Sequence, residues 1–140
     1  MSTLTVFTCT YNRSHTLERL YQSLTRQTSK DFNWLIIDDG STDKTKELVL
    51  EFQQQKNDFK IRYCYKDNGG LYTGYNKAIE LMNTELCVCI DSDDYMPDNA
   101  VEIILSFWKT HGNEEYAGIV GLDFYMNGGP IGGFFPEGLQ

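Results

Sequence analysis

The hydrophobic residues of this chain change their spacing back and forth from one segment to the next. That alternation restricts the possible folds more than any other feature. Leu4 to Cys9 is a short β-prone run, and Leu17, Leu20, Tyr21 and Leu24 then recur at helical spacing, with Ser14 placed to cap. Trp34-Leu35-Ile36-Ile37 predicts a second strand, and Thr45, Leu48, Val49 and Phe52 a second helical stripe. Ile61 to Tyr65 predicts a third strand, followed by a stripe of Leu71, Tyr75, Ala78, Ile79 and Met82. Leu86 to Ile90 is apolar throughout, as in a strand covered on both faces. Pro97 suits the first turn of a fourth helix with Val101, Ile104, Leu105 and Trp108 inside and Gly112 at its end. Ile119 to Leu122 is a candidate fifth strand. Repeated β-α-β-α of this kind predicts an α/β fold, a mainly parallel sheet with helices on both faces in three layers.

Length and charge remove several function classes. At 140 residues the chain is one domain, and no apolar run reaches the roughly 20 residues that cross a bilayer. The start, Met1 to Phe7, lacks the basic flank and cleavage site of a signal peptide. A formal net charge of -8 argues against nucleic acid as a partner. Cys9, Cys64, Cys87 and Cys89 fit no zinc spacing and lie in hydrophobic runs, so they are expected to be reduced, buried core residues of a cytoplasmic protein. With His15 and His111 the only histidines and no G-x-S-x-G elbow, a hydrolase triad has little to build on. Neither G-x-G-x-x-G nor G-x-x-x-x-G-K-[ST] is present, which removes the key feature of dinucleotide oxidoreductases and P-loop enzymes.

In parallel sheets of this type ligands bind beyond the carboxyl ends of the strands. Four polar segments fall there: Thr10-Tyr11-Asn12-Arg13, Asp38-Asp39-Gly40-Ser41, Asp67-Asn68-Gly69-Gly70 and Asp91-Ser92-Asp93-Asp94. In an extended segment Asp91 and Asp93 point the same way, so two carboxylates can converge on one cation, and oxygen-only ligands favour Mg²⁺ or Mn²⁺. The plainer reading is an Asp-rich turn that caps the next helix. Gly40 permits positive φ, and Ser41 or Thr42 is placed to cap. That turn chemistry leaves two adjacent carboxylates, Asp38 and Asp39, unexplained. One of them can accept a base N–H or a ribose hydroxyl. Tyr11 offers an aromatic face to a base and Arg13 a charge to phosphate, while Gly69 and Gly70 offer backbone N–H groups to a diphosphate. Ordinary loop and turn residues account for these three features equally well.

Taken in order, these residues resemble a known family. Thr10-Tyr11-Asn12, Gln27-Thr28, Ile36-Ile37-Asp38-Asp39-Gly40-Ser41-Thr42-Asp43, Asn68-Gly69-Gly70 with Asn76, and Asp91-Ser92-Asp93-Asp94 with Pro97-Asp98 look like the nucleotide-sugar-binding half of a family 2 glycosyltransferase. The resemblance spans about Thr3 to Leu105 and implies the Rossmann-like GT-A fold. It implies that Thr10, Tyr11 and Asn12 line a nucleoside pocket and that Asp39 accepts a uracil or guanine N–H. By the same resemblance Asp91 lies near the ribose or metal, and Asp93 holds a Mn²⁺ or Mg²⁺ ion that bridges the diphosphate. Arg13, Asn68, Gly69, Gly70 and Ser92 complete the expected donor site. The implied reaction transfers a sugar from a nucleoside diphosphate, as in a UDP-sugar, to a glycan or lipid-linked acceptor with inversion. An association with the inner face of a membrane is also implied, though no amphipathic basic segment contributes to it.

Two departures from the family pattern stand out. Where members commonly carry an arginine before the asparagine matched by Asn76, this chain has Tyr75. Members also usually continue well past this length, with the acceptor site and catalytic base in the second half. Residues 1–125 are therefore expected to form the donor-binding domain. Residues 126–140, holding five of the twelve glycines, are expected to lead to an acceptor-binding half, with the base beyond Gln140. Two other readings remain at this stage: a nucleotide-sugar-binding module without catalysis, and a nucleotidyltransferase. The latter would want a Gly-rich basic loop after the first strand, where Thr10 to Ser14 has no glycine.

Overall fold

The computed structural model describes residues 2–121 and 123–132. Four strands alternate with four helices: β1 (Leu4–Thr10), α1 (Ser14–Thr25), β2 (Phe32–Asp38), α2 (Thr45–Gln54), β3 (Lys60–Tyr65), α3 (Leu71–Leu81), β4 (Leu86–Cys89) and α4 (Ala100–His111). The strands are all parallel, in the order β3-β2-β1-β4. β1 and β2 are buried on both faces along their whole length, so apolar side chains stand on both faces rather than at alternate positions, with Thr5, Thr8, Thr10, Asn33 and Asp38 as buried polar residues among them.

Strand alternation divides the core in two. Leu4, Val6, Trp34, Ile36 and Ile61 face one way and pack with Leu17, Leu20, Tyr21 and Leu24 of α1, Val49 and Phe52 of α2, and Val101 of α4. Tyr21, Trp34 and Phe52 form a stacked aromatic centre there, with Tyr21 and Phe52 ring centroids 4.1 Å apart. Phe7, Cys9, Leu35 and Ile37 face the other way, onto Ala78 of α3. This is the expected three-layer α/β sandwich. Among the described helices α3 alone packs on its face, because the chain reverses direction across the sheet between β3 and β4, and a crossover of constant hand then runs over the opposite side.

Several expectations need correction. In α3, Leu71 is 55% and Ile79 65% exposed, so these two residues of the stripe face outward, while Tyr75, Ala78 and Met82 pack inward as expected. The helix comes closest to the sheet at Gly74, where a Cβ would lie 2.9 Å from Cys9 Sγ. Close approach of helix to strand selects small residues here over large apolar ones. β4 is half-buried rather than covered, because it is the outermost strand of the described sheet and α3 packs on β1 and β2. For the same reason only Cys9 is buried; Cys64 and Cys89 are half-buried and Cys87 is exposed, all four as free thiols.

Pro97 precedes α4 by three residues, its carbonyl accepting from Ala100 N at 3.0 Å, and Gly112 ends that helix as expected. Residues 119–121 form no strand, and Leu122 lies outside the described residues. The glycine-rich segment makes an isolated antiparallel bridge between Phe124 and Pro130, and its last part, 133–140, also lies outside the description. Among the described residues no helix is long and apolar enough to cross a membrane.

Candidate functional site

The strand order reverses between β1 and its neighbour β4, and loops leaving adjacent strands in opposite directions open a crevice at their carboxyl ends. The segments after β1, β2 and β4 therefore meet, although the first and last lie about eighty residues apart in sequence. Arg13, just before α1, reaches Asp93 after β4 with Nη1 3.6 Å from Oδ2. Arg19 on α1 donates to the Asp93 carbonyl, and its guanidinium lies 5.6 Å from the Tyr95 ring centroid. Neither contact is visible in local sequence pattern. Gln27 ties the same segment down from behind: its amide donates to Pro97 O at 2.7 Å and accepts from Val101 N at 3.0 Å. The Gln27-Thr28 and Pro97-Asp98 motifs are thus halves of one structural joint, closed further by Thr28 N donating to Asp98 O at 2.8 Å.

Asp91, Asp93 and Asp94 are all exposed, and each offers a carboxylate oxygen within 4.8 Å of the others. Asp91 and Asp93 converge through a turn, closed by Asp94 N donating to Asp91 O at 3.0 Å, and not through an extended segment, and Asp94 joins them. Partial shielding from water, then the neighbouring Asp93 and Asp91, hold the Asp94 carboxyl above its ordinary range. An all-oxygen donor set of this kind suits a hard divalent cation, so these residues fit the implied Mg²⁺ or Mn²⁺. Ser92, between them, is buried.

The rim after β2 is organised differently. Asp38 is fully buried and accepts from Ser41 N at 2.8 Å and from the Tyr63 hydroxyl at 2.6 Å. Burial, then this contact, pushes the Tyr63 phenol up. Asn12 takes a left-handed backbone, φ 52°, and its side-chain oxygen accepts from Thr42 N at 2.8 Å and Asp43 N at 3.3 Å. Its own N–H donates to Ser41 Oγ at 2.9 Å. Asn12 therefore fastens the turn after β1 to the turn after β2.

Helix capping also differs from expectation. Neither Ser14 nor Ser41 or Thr42 caps by its side chain; Asp43 serves both helices, accepting from Ser14 N at 3.0 Å and from Thr45 N at 3.0 Å and Oγ1 at 2.6 Å. Burial alone would raise the Asp43 pKa, but these hydrogen bonds from Thr45 and Ser14 hold it at about 2. A carboxylate that caps two helices from between them has no single-segment signature.

Asp39 points to the α3 side and is surrounded. Its Oδ1 accepts from the Lys66 ammonium and from Gly69 N at 3.0 Å, and its Oδ2 from Gly70 N at 2.9 Å and Asn68 Nδ2 at 3.3 Å. Burial pushes the carboxyl up, and the bonds from Lys66, Gly69 and Gly70 more than reverse that, leaving it below its ordinary range. The two glycine N–H groups expected to stand bare for a diphosphate are thus committed to Asp39. Lys66 was not singled out by the sequence, since only the fold brings it back to the end of β2. Tyr75 turns away, within 3.6 Å of the Cys89 thiol, and supplies no charge at the rim.

Thr10, at the end of β1, is 3% exposed and its hydroxyl has no hydrogen-bond partner among the described residues. Tyr11 beside it is 49% exposed, with its ring available for stacking. A buried orphan hydroxyl next to an open aromatic face, at a strand end, is where a polar ligand would complete the bonding.

Residues 5–129 match the model of the family described as Glycosyl transferase family 2. The uncharacterized glycosyltransferase MG060 of Mycoplasma genitalium is 32% identical over 126 residues, 87% of this chain and 41% of that protein. The chondroitin synthase of Pasteurella multocida is 31% identical over 102 residues, 73% of this chain and 10% of that one. Among solved structures, residues 1–349 of S. aureus TarS in complex with UDP-GlcNAc superpose with a TM-score of 0.72 at 27% identity, covering 79% of this chain and 32% of TarS 1–349. The chain spans less than half the length of each of these proteins. Strand order, rim motifs and the match over residues 5–129 agree: the chain belongs to glycosyl transferase family 2.

Proposed function

We propose that this chain is the donor-binding portion of a glycosyltransferase that moves a sugar from a UDP-sugar to an acceptor, with inversion at the anomeric carbon and with Mn²⁺ or Mg²⁺. The observation that carries the reading is the meeting of three rims at the switch point. There an acidic triad with its oxygens within 4.8 Å faces Arg13, beside the orphan hydroxyl of Thr10. The likeness to TarS, whose structure holds UDP-GlcNAc, supports a uridine nucleotide.

In this reading Tyr11 stacks on the base, Thr10 donates its unpaired hydroxyl to the nucleoside, and Asp39 accepts a base N–H. Asn12, Asn68, Gly69 and Gly70 hold that pocket in shape. Asp91 and Asp93 would hold the cation, flanked by Ser92, and Arg13 exchanges Asp93 for the diphosphate. A bound divalent ion supplies Lewis-acid stabilisation of the departing diphosphate. The attacking hydroxyl needs a general base, which belongs with the acceptor site. That site, for a glycan or a lipid-linked saccharide at the inner membrane face, lies outside residues 1–125, and residues 126–140 lead towards it.

Calorimetric titration of the chain with UDP, in Mn²⁺ and again in EDTA, tests the reading. Binding that needs the metal is expected, because the rim is otherwise acidic. Equal affinity in both conditions would remove the metal role, and no binding in either would remove the nucleotide.

A further inference from the structure

An ionised carboxylate accepts about four hydrogen bonds, and Asp39 already has four donors: Lys66 Nζ, Gly69 N, Gly70 N and Asn68 Nδ2. A base N–H can reach this carboxylate only by replacing one of them. Three are fixed. The turn that carries Asn68 to Gly70 packs against Gly40, where a Cβ would lie 2.8 Å from Asn68 N, and its N–H donors are part of the backbone of that turn. Asn68 Nδ2 is held twice, donating also to Asp39 O at 2.8 Å, and these two acceptors set the amide's orientation. Lys66 is the one donor on a flexible stem, and the Asp67 carbonyl gives it a second acceptor.

We propose that Lys66 is a base-specificity residue. Its ammonium leaves Asp39 Oδ1 to a uracil N–H and donates instead to the carbonyl beside that N–H, so the site selects UDP over GDP and CDP. The proposal rests on the nucleotide-sugar reading above. With Lys66 on one side, Asp39 presents a donor beside an acceptor, and on the other side the Asn68 amide and Gly70 N–H fill Oδ2 and leave no acceptor. Uracil presents the complement, an N–H beside a carbonyl. Guanine sets its amino group beside its ring N–H, and that amino group would meet the donors on Oδ2 with nothing to accept it. Cytosine offers a ring nitrogen acceptor to a carboxylate. Both bases are left unseated, and their nucleotides bind through diphosphate and metal alone.

The test is calorimetry in Mn²⁺ with UDP, GDP and CDP on the unaltered chain, Lys66→Met and Lys66→Arg. The unaltered chain is expected to prefer UDP by about tenfold or more, the scale of one mismatched buried hydrogen bond. Lys66→Met should weaken UDP by about fivefold or more while leaving GDP and CDP unchanged, and Lys66→Arg should retain the UDP affinity. A folded Lys66→Met variant that weakens all three nucleotides together would overturn the proposal. So would an unchanged UDP affinity in Lys66→Met. If Lys66→Met does not fold, N3-methyl-UDP on the unaltered chain decides: binding at the GDP level supports the exchange at Asp39, and binding equal to UDP overturns it. Failure of every nucleoside diphosphate to bind would sink the donor-binding reading itself, a different result from binding without preference.

Discussion

After β2, Asp38, Asp39 and Asp43 each accept two or more hydrogen bonds. After β4, Asp91, Asp93 and Asp94 stand exposed, with the side chain of Arg13 as the cation paired to them among the described residues. Each rim carries three carboxylates, and they are stabilised by different means. The first rim meets its charge with backbone N–H groups and helix N-termini, which come with the fold and favour the ionised form. The second has no such donors and leaves like charges close together, an arrangement that gains most from an added cation. A carboxylate can thus be part of the scaffold or part of a binding site, and its donors decide which.

That contrast can be broken in both directions. Asp93→Ala should lower UDP affinity in Mn²⁺ to its value in EDTA, a loss of at least ~10-fold, with thermal stability little changed because the side chain is exposed. Unfolding of that variant would make the β4 rim structural after all. Asp43→Ala should do the reverse. It removes the cap of two helices, at about 1 kcal/mol each, so denaturant unfolding should show a loss of about 2 kcal/mol, with Mn²⁺ dependence retained.

Asp43 also predicts a pH dependence. Its folded pKa, about 2, lies below the ordinary 3.8, so the unfolded state binds more protons between those values. Its stabilising contribution is complete above about pH 4 and is lost as pH falls towards 2. Asp43→Asn should flatten the acid limb of a stability–pH curve, and an unchanged limb would contradict the capping account. Arg13→Gln carries the smallest effect. The pair is half exposed, and such pairs are worth up to about 1 kcal/mol. Mn²⁺ alone should therefore bind up to about fivefold tighter once its competitor is gone.

Much of the fold was legible because buried strands and helix stripes leave periodic marks. Trp34 to Ile37 and the Leu17, Leu20, Tyr21, Leu24 face are examples. α3 misled at Leu71 and Ile79, because large apolar residues normally mark the packed face, whereas this helix approaches the sheet most closely at Gly74, beside Ala78. β4 misled because an edge strand keeps the same apolar letters as a central one. At the site, the carboxylates were legible from strand-end position and motif. Lys66, Arg19 and the double cap by Asp43 were not, since each acts on a segment distant in sequence and has no spacing to reveal it. The resemblance makes Asn12 a ligand residue, and its left-handed backbone and four hydrogen bonds with residues 41–43 give it a scaffold role as well.

Paramagnetic broadening places a manganese ion directly. In a ¹⁵N-correlation spectrum of the chain with UDP, substoichiometric Mn²⁺ should erase the amide signals of residues 91–94 first and spare those of Asp43 and Thr45 at the N-terminus of α2. Broadening centred on residues 38–43, or spread evenly over the acidic surface, would contradict the assignment of the β4 rim as the cation site.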